Sequence, residues 1–313
     1  MGSDGAAATI TSRRRHGSNL APGGVDILRH QRRAGTILIS PAILAILLIS
    51  IIPLLAAFYF SFTHYDLLET PQWVGLHNYI AILGDSVFWE SVKNTLEFAV
   101  SQVAIGLVVA TLVAALFNGN LFGGSLMRTL VYLPQAASYV VVALIWNLLL
   151  DPAVGPINRA LQALGTGPLY FLSDTHWAMP SIVIMSMWRN LGYFMIIILA
   201  ALKSVPTELL EAAKMDGASA VRRFFSVSLP AIQGVVSFVA ITWFLGALQM
   251  FTQSYVMTGG GPVNATRTVV YLMYDDAFTN LDIGSASAIA VMLFIIVVIL
   301  SFILRLVFRS RED

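Results

Sequence analysis

One arginine stands alone inside an apolar stretch. Between Met179 and Leu202 the only charged residue is Arg189. Ser186, Arg189, Asn190 and Tyr193 follow i, i+3, i+4, i+7, which is one face of a helix. Two other apolar stretches carry similar stripes. Gln135, Ser138, Tyr139 and Trp146 follow i, i+3, i+4, i+11, with Asn147 adjacent; Thr242, Gly246, Gln249 and Gln253 follow i, i+4, i+7, i+11. Amides, hydroxyls and a guanidinium supply hydrogen bonds, and aromatic rings cover apolar faces. That combination suits a hydroxylated solute. The candidate solute-facing set is Gln135, Tyr139, Asn147, Arg189, Asn190, Tyr193, Gln249 and Gln253. The same groups can instead tie helices together, at about 0.6–2 kcal/mol each. Arg189 at a membrane centre costs about 2.5–3.5 kcal/mol and needs a partner or a wet cavity.

No other chemistry is visible. There are no cysteines, and the five histidines (His16, His30, His64, His77, His176) show no ligand spacing, so no metal site is expected. No phosphate-binding G-x-x-x-x-G-K-[ST], no H-E-x-x-H and no G-x-S-x-G occurs. No residue is assigned a catalytic role. Glu97 is the one acid close to a span interior, the only candidate for an ion-coupled carrier.

The elements that position these residues follow from composition. Of 313 residues, 57% are hydrophobic and 11% charged, against about 25% charged in soluble domains. Mean hydropathy is +0.78. A soluble enzyme and a disordered chain are both excluded. Net charge is +1, which gives no drive toward nucleic acid. The expected fold is all-α: a polytopic membrane protein with six transmembrane helices near Thr36–Phe62, Leu96–Phe117, Thr129–Leu150, Met179–Leu202, Pro230–Phe251 and Ala286–Leu306. The basic residues then fall mostly on one side. Arg13, Arg14, Arg15, Arg29, Arg32, Arg33, Arg128, Lys203, Lys214, Arg222, Arg223, Arg305, Arg309 and Arg311 share it, and the opposite loops hold only Arg159 and Arg267. Both termini are therefore expected in the cytoplasm. Residues 1–35 read as a basic, disordered cytoplasmic tail, residues 36–308 as the membrane domain and residues 309–313 as a cytoplasmic end.

The cytoplasmic loop 203–228 has the marks of a helical elbow. Pro206 suits a first helical turn, and Glu208 and Glu211 sit near its positive end. Gly217 can close that helix in the left-handed conformation. Ser219 can cap a second helix, with Phe224 and Phe225 as apolar anchors. Small Ala212 and Ala213, with Leu209 on the same face, allow close approach of a partner; a plain turn between spans is the alternative.

Glu211-Ala212-Ala213, three residues, Gly217, nine residues and Val227-Ser228-Leu229-Pro230 resemble the EAA motif of permease subunits of binding-protein-dependent ABC importers, with Val where Ile is commoner. Gly75-Leu76-His77-Asn78-Tyr79, Asn94-Thr95, Leu133-Pro134, Trp188-Arg189-Asn190-Leu191-Gly192 and Thr258-Gly259-Gly260-Gly261-Pro262 resemble the carbohydrate branch, of the maltose and glycerol-3-phosphate permease type. The resemblance covers roughly residues 36–308. It implies a type I ABC importer permease fold in a bacterial inner membrane. It implies that Glu211, Ala212, Ala213, Asp216 and Gly217 couple the chain to an ATPase. The implied partners are a second permease, two ATPase subunits and an external solute-binding protein, within membrane lipid. No cofactor is expected in this chain, ATP and Mg being held by the ATPase. The implied solute is a carbohydrate or polyol; a glycerophosphodiester or glycerol-3-phosphate is the alternative, because Arg189 could favour an anion, and an ion-coupled carrier ranks behind both. Tyr271, Tyr274, Asp275 and Asp276 follow the glycine-rich outer loop, in a region that faces the binding protein in the family; a plain connector is the other reading.

Overall fold

A computed structural model describes residues 38–119 and 123–309. The tail 1–35 and all but the first residue of the segment 309–313 lie outside the described residues. The chain divides into two compact units, residues 1–56 and 57–313.

The described residues are almost wholly helical. Helix α1 is Leu38–Phe60. Strands β1 (Thr63–His64) and β2 (Gln72–Trp73) pair antiparallel, a small hairpin that the apolar pattern does not announce. There follow α2 (His77–Gly84), α3 (Ser86–Phe117), α4 (Gly124–Ala136), α5 (Tyr139–Leu150), α6 (Pro156–Ala163), α7 (Ala178–Lys203) and α8 (Thr207–Met215). Then come α9 (Ala220–Ala231), α10 (Gln233–Ala247), α11 (Thr252–Met257), α12 (Val269–Phe278) and α13 (Ile283–Arg309).

Among the described residues four helices, α1, α3, α7 and α13, are long and apolar enough to cross a membrane alone. Two bent pairs, α4 with α5 and α9 with α10, make the total six if each is one span. The expected third span, Thr129–Leu150, is therefore corrected: its two helices meet at 100°. Pro134 lacks the N–H that would continue the ladder. Ala137 is extended at φ −81°, ψ 149°, and Ser138 starts α5 as its cap by accepting from Val141 N. The expected fifth span, Pro230–Phe251, is corrected too. The elbow's second helix runs on to Ala231 and α10 leaves it at 71°. Helix α10 ends at Ala247, so Gln253 lies on the separate α11. The stripes inferred through residues 135–147 and 242–253 are thus not continuous helical faces. The fourth span agrees with its expected bounds within one residue at each end.

Helix α3 buries Phe88, Ser91, Thr95, Phe98, Gln102, Gly106, Ala110, Ala114 and Phe117, a stripe at three- and four-residue steps. It packs on α7, α10 and α12. The core falls into three apolar clusters. One joins Phe98, Val142, Ile182 and Leu248; a second joins Ala114, Met195, Ile198 and Trp243; a third joins Phe88, Leu272 and Ile289. Large apolar side chains such as Leu116, Leu148, Phe238 and Phe302 remain exposed, as hydrocarbon-facing residues do. The polar pocket lies where α3, α4, α5, α7, α10 and α11 converge.

Candidate functional site

A cavity of about 280 Å³ is lined by Gln102, Gln135, Tyr139, Arg189, Asn190, Tyr193, Thr242 and Gln253, closed by Phe98, Phe194, Trp243, Gly246 and Ala247. That is near the lower end of the roughly 300–1,000 Å³ typical of small-molecule sites. Six of the eight candidate residues meet there: Gln135, Tyr139, Arg189, Asn190, Tyr193 and Gln253. Gln249 does not; it is exposed at the turn that ends α10. Asn147 does not line it either. Its amide donates to the Val256 carbonyl at 3.2 Å, tying α5 to α11.

Arg189 is the only charged residue in the lining. Its Nη1 donates to Gln135 Oε1 at 3.0 Å and to Asn190 Oδ1 at 3.2 Å. Its Nη2 donates to the carbonyls of Gln135 (3.3 Å) and Ala137 (3.0 Å), and its Nε to the Ala137 carbonyl at 3.2 Å. Its guanidinium carbon lies 3.8 Å from the centre of the Tyr139 ring. Tyr139 in turn donates its hydroxyl to Asn190 Oδ1 at 2.9 Å. The charge is thus satisfied by the exposed carbonyls of a helix end and by an aromatic face, without a carboxylate.

Gln102, Phe98 and Trp243 escaped the sequence reading, though Gln102 was findable as an amide within the apolar stretch of α3. Its Nε2 donates to the Val183 carbonyl at 3.3 Å, and its Oε1 has no protein partner. Trp243 stacks on Phe194 to form the apolar wall. Glu97 is exposed on α3, away from this cavity.

At the elbow, α8 closes in a Schellman turn. Gly217 takes φ +77°; its N–H donates to the Lys214 carbonyl and that of Ala218 to Ala213, each at 3.0 Å. This is the double bond pattern that satisfies a helix's last carbonyls. Ser219 then caps α9 by accepting from Arg222 N at 3.3 Å. Arg223 donates to the Ala218 carbonyl at 2.8 Å and steadies the turn from within. Glu211, Ala212, Asp216 and Gly217 are exposed and Ala213 half-buried. Leu209 and Met215 are exposed beside them, at 50% and 87%, while Leu210 packs inward. The elbow is a knob closed by its own caps, with Ala212 and Gly217 exposed between larger side chains.

The glycine-rich segment 258–268 is internally pinned. Asn94 donates to the carbonyls of Asn264 (2.7 Å) and Arg267 (3.0 Å), and Thr95 Oγ1 accepts from Val269 N at 3.0 Å. Arg267 pairs with Asp275 at 3.3 Å. Tyr255, Tyr271 and Tyr274 gather with Phe251 and Phe278 as one aromatic group.

Residues 102–312 match the family model described as binding-protein-dependent transport system inner membrane component. The chain belongs to this family. It is a multi-pass membrane transport subunit, a permease of the ABC type. Among curated relatives, it is 38% identical over 228 residues to the sn-glycerol-3-phosphate transport system permease protein UgpA of Yersinia pestis, covering 72% of this chain and 77% of that one. It is 30% identical over 274 residues to the probable starch degradation products transport system permease protein AmyD of Thermoanaerobacterium thermosulfurigenes, covering 88% and 93%. A crystal structure of a bacterial ABC transporter importing the acidic polysaccharide alginate contains a chain of the same fold. The TM-score is 0.80 at 21% identity, with 93% of this permease and 99% of that chain covered.

Proposed function

We propose that this permease forms half of the passage for a neutral carbohydrate or polyol in a type I importer. An external binding protein delivers the solute, and a second permease completes the passage. Two ATPase subunits in the cytoplasm drive it, with ATP and Mg held there. The observation that carries the solute class is the state of Arg189. All five guanidinium N–H groups already have acceptors within the chain. The cavity therefore offers a solute amides, hydroxyls and aromatic faces, and no free fork for a phosphate. The similarity to a glycerol-3-phosphate permease keeps the phosphate ester as the reading to be tested against.

The elbow supports the coupling role. Glu211, Ala212, Ala213, Asp216 and Gly217 form a knob that can enter a cleft of an ATPase, and Ala212 and Ala213 let its backbone come close. The distribution of Lys and Arg supports placing the elbow and both termini in the cytoplasm. A carrier driven by an ion gradient is disfavoured by the position of Glu97, outside the cavity.

A deletion strain complemented with the gene tests the solute class. Uptake of radiolabelled maltose and of radiolabelled glycerol-3-phosphate is measured with and without the chain. Restoration of sugar uptake supports the proposal; restoration of glycerol-3-phosphate uptake alone overturns the neutral class.

A further inference from the structure

We infer that Arg189 acts on the passage through the break between α4 and α5, as a positioning residue that locks both to α7. The role bears on transport only if this cavity is the solute path, as proposed above.

A helix end leaves its last carbonyls without partners. Most helices meet that need locally, with a glycine that turns the chain back. Here the Ala137 N–H reaches back only to the Pro134 carbonyl, at 3.3 Å, and with Ala137 extended and Ser138 already beginning the next helix the carbonyls of Gln135 and Ala137 are left for another element. The cap comes from α7. Arg189 places three of its five bonds on the carbonyls of Gln135 and Ala137. The other two go to Gln135 Oε1 and Asn190 Oδ1, which fixes the side chains that line the cavity.

Gly192, one turn further along α7, adds a second fixed point. A Cβ there would lie 2.3 Å from the Val131 carbonyl oxygen and 2.5 Å from Tyr132 Cα. The α4 backbone therefore rests directly on α7. A third point lies beyond the break, where Tyr139 of α5 covers the guanidinium and bonds Asn190. Arg189 thus holds Gln135 on one side of the break and Tyr139 on the other. Lysine cannot replace it, because three donors on one centre cannot serve these four acceptor oxygens.

The test uses the native absence of cysteine. Leu130 on α4 and Leu148 on α5 are both exposed. Each is changed to cysteine and spin-labelled in the full chain, in lipid bilayers, and the distance across the break is read by pulsed electron paramagnetic resonance. With Arg189 present the distribution is expected to be narrow. It should broaden in Arg189→Gln and Arg189→Lys, the lysine variant serving where the glutamine variant fails to accumulate. It should stay narrow in Gln135→Ala, which keeps both backbone carbonyls. In cells that take up a labelled probe, Arg189→Lys should lower uptake of maltose and of glycerol-3-phosphate alike, by about tenfold, the factor that 1.4 kcal/mol carries. A narrow distribution in Arg189→Lys overturns the inference. So does retention of glycerol-3-phosphate uptake in Arg189→Lys, since that marks a charge contact with the solute. If the unaltered chain moves neither probe, the solute reading fails while the distance measurement still decides the lock.

Discussion

Trp243 lies flat on Phe194, with ring centroids 4.1 Å apart and planes 15° from parallel. The pair forms one wall of the cavity, and Gly106 of α3 backs the indole. A Cβ on Gly106 would lie 2.3 Å from Trp243 Cη2, so the indole, stacked on Phe194, must shift to admit it. Gly106→Val should therefore overpack the wall at a cost of about 1–3 kcal/mol. The purified protein should melt at a lower temperature, and uptake should fall because the ring is driven toward the cavity. A variant with unchanged melting and uptake would show that the indole swings aside freely.

Asn94 joins α3 to a segment some 170 residues away. Both amide hydrogens are used, on the carbonyls of Asn264 and Arg267, and the residue is 5% exposed. Asn94→Asp keeps the shape but turns the donor into an acceptor. Each buried group left unpaired costs about 1–3 kcal/mol. Limited proteolysis should then cut residues 258–268 sooner than in the unaltered chain. Equal cutting rates would mean that Thr95 and the Ser254–Thr266 bonds hold the segment without Asn94.

Asp276 sits on α12, outside the candidate spans. Burial holds its carboxyl above the ordinary carboxylate range; the Asn280 amide opposes this, and Asp282, Asp275 and Asp85 add to the push. A carboxyl whose pKa rises on folding favours the folded state while protonated. That contribution is fully present below the unfolded value, near 3.8, and is lost as pH rises through the raised value. Asp276→Asn removes the charge yet keeps an oxygen for Asn280, which now donates at 3.0 Å. The variant should melt higher than the parent at neutral pH, and the difference should close as pH falls toward 3.8. A gap that stays constant across that range would assign the effect to packing.

The sequence exposes those features whose physics is local. Long apolar runs without charge give the spans, and the bounds of α7 are legible to within a residue. The elbow is legible for the same reason: Gly217 and Ser219 cap neighbouring helices with their own backbone and side chain. The break at Ala137–Ser138 is not legible, because apolarity continues across it and its cap comes from Arg189, some fifty residues later. Pro134 was the available signal. Gln249 and Gln253 illustrate the cost of missing such a break. Four residues apart, they share a face only if the helix continues, and the turn at Leu248–Phe251 sends one outward and the other into the cavity. Asn147 belongs to the same lesson, since α5 turns it to the Val256 carbonyl. The hairpin Thr63–His64 with Gln72–Trp73 is too short to show a period.

Gly217 decides whether the elbow keeps its shape. At φ +77° nothing lies within 4 Å of the place a Cβ would take, so space is not limiting there and the backbone conformation is. Asn tolerates the left-handed region better than other non-glycine residues, and Gly217→Asn should keep the turn. Proline is fixed near φ −65° and has no N–H for the Lys214 carbonyl. Gly217→Pro should therefore break the Schellman turn and change the angle between α8 and α9, while the spans above continue to pack. Affinity purification of the tagged chain from its native membrane reads this directly. The parent and Gly217→Asn should bring down a P-loop ATPase and a second permease; Gly217→Pro should bring down the second permease alone. Recovery of the ATPase with Gly217→Pro would place the coupling surface elsewhere than residues 211–217. Loss of both partners would mean that the turn also carries the pairing of the two permeases.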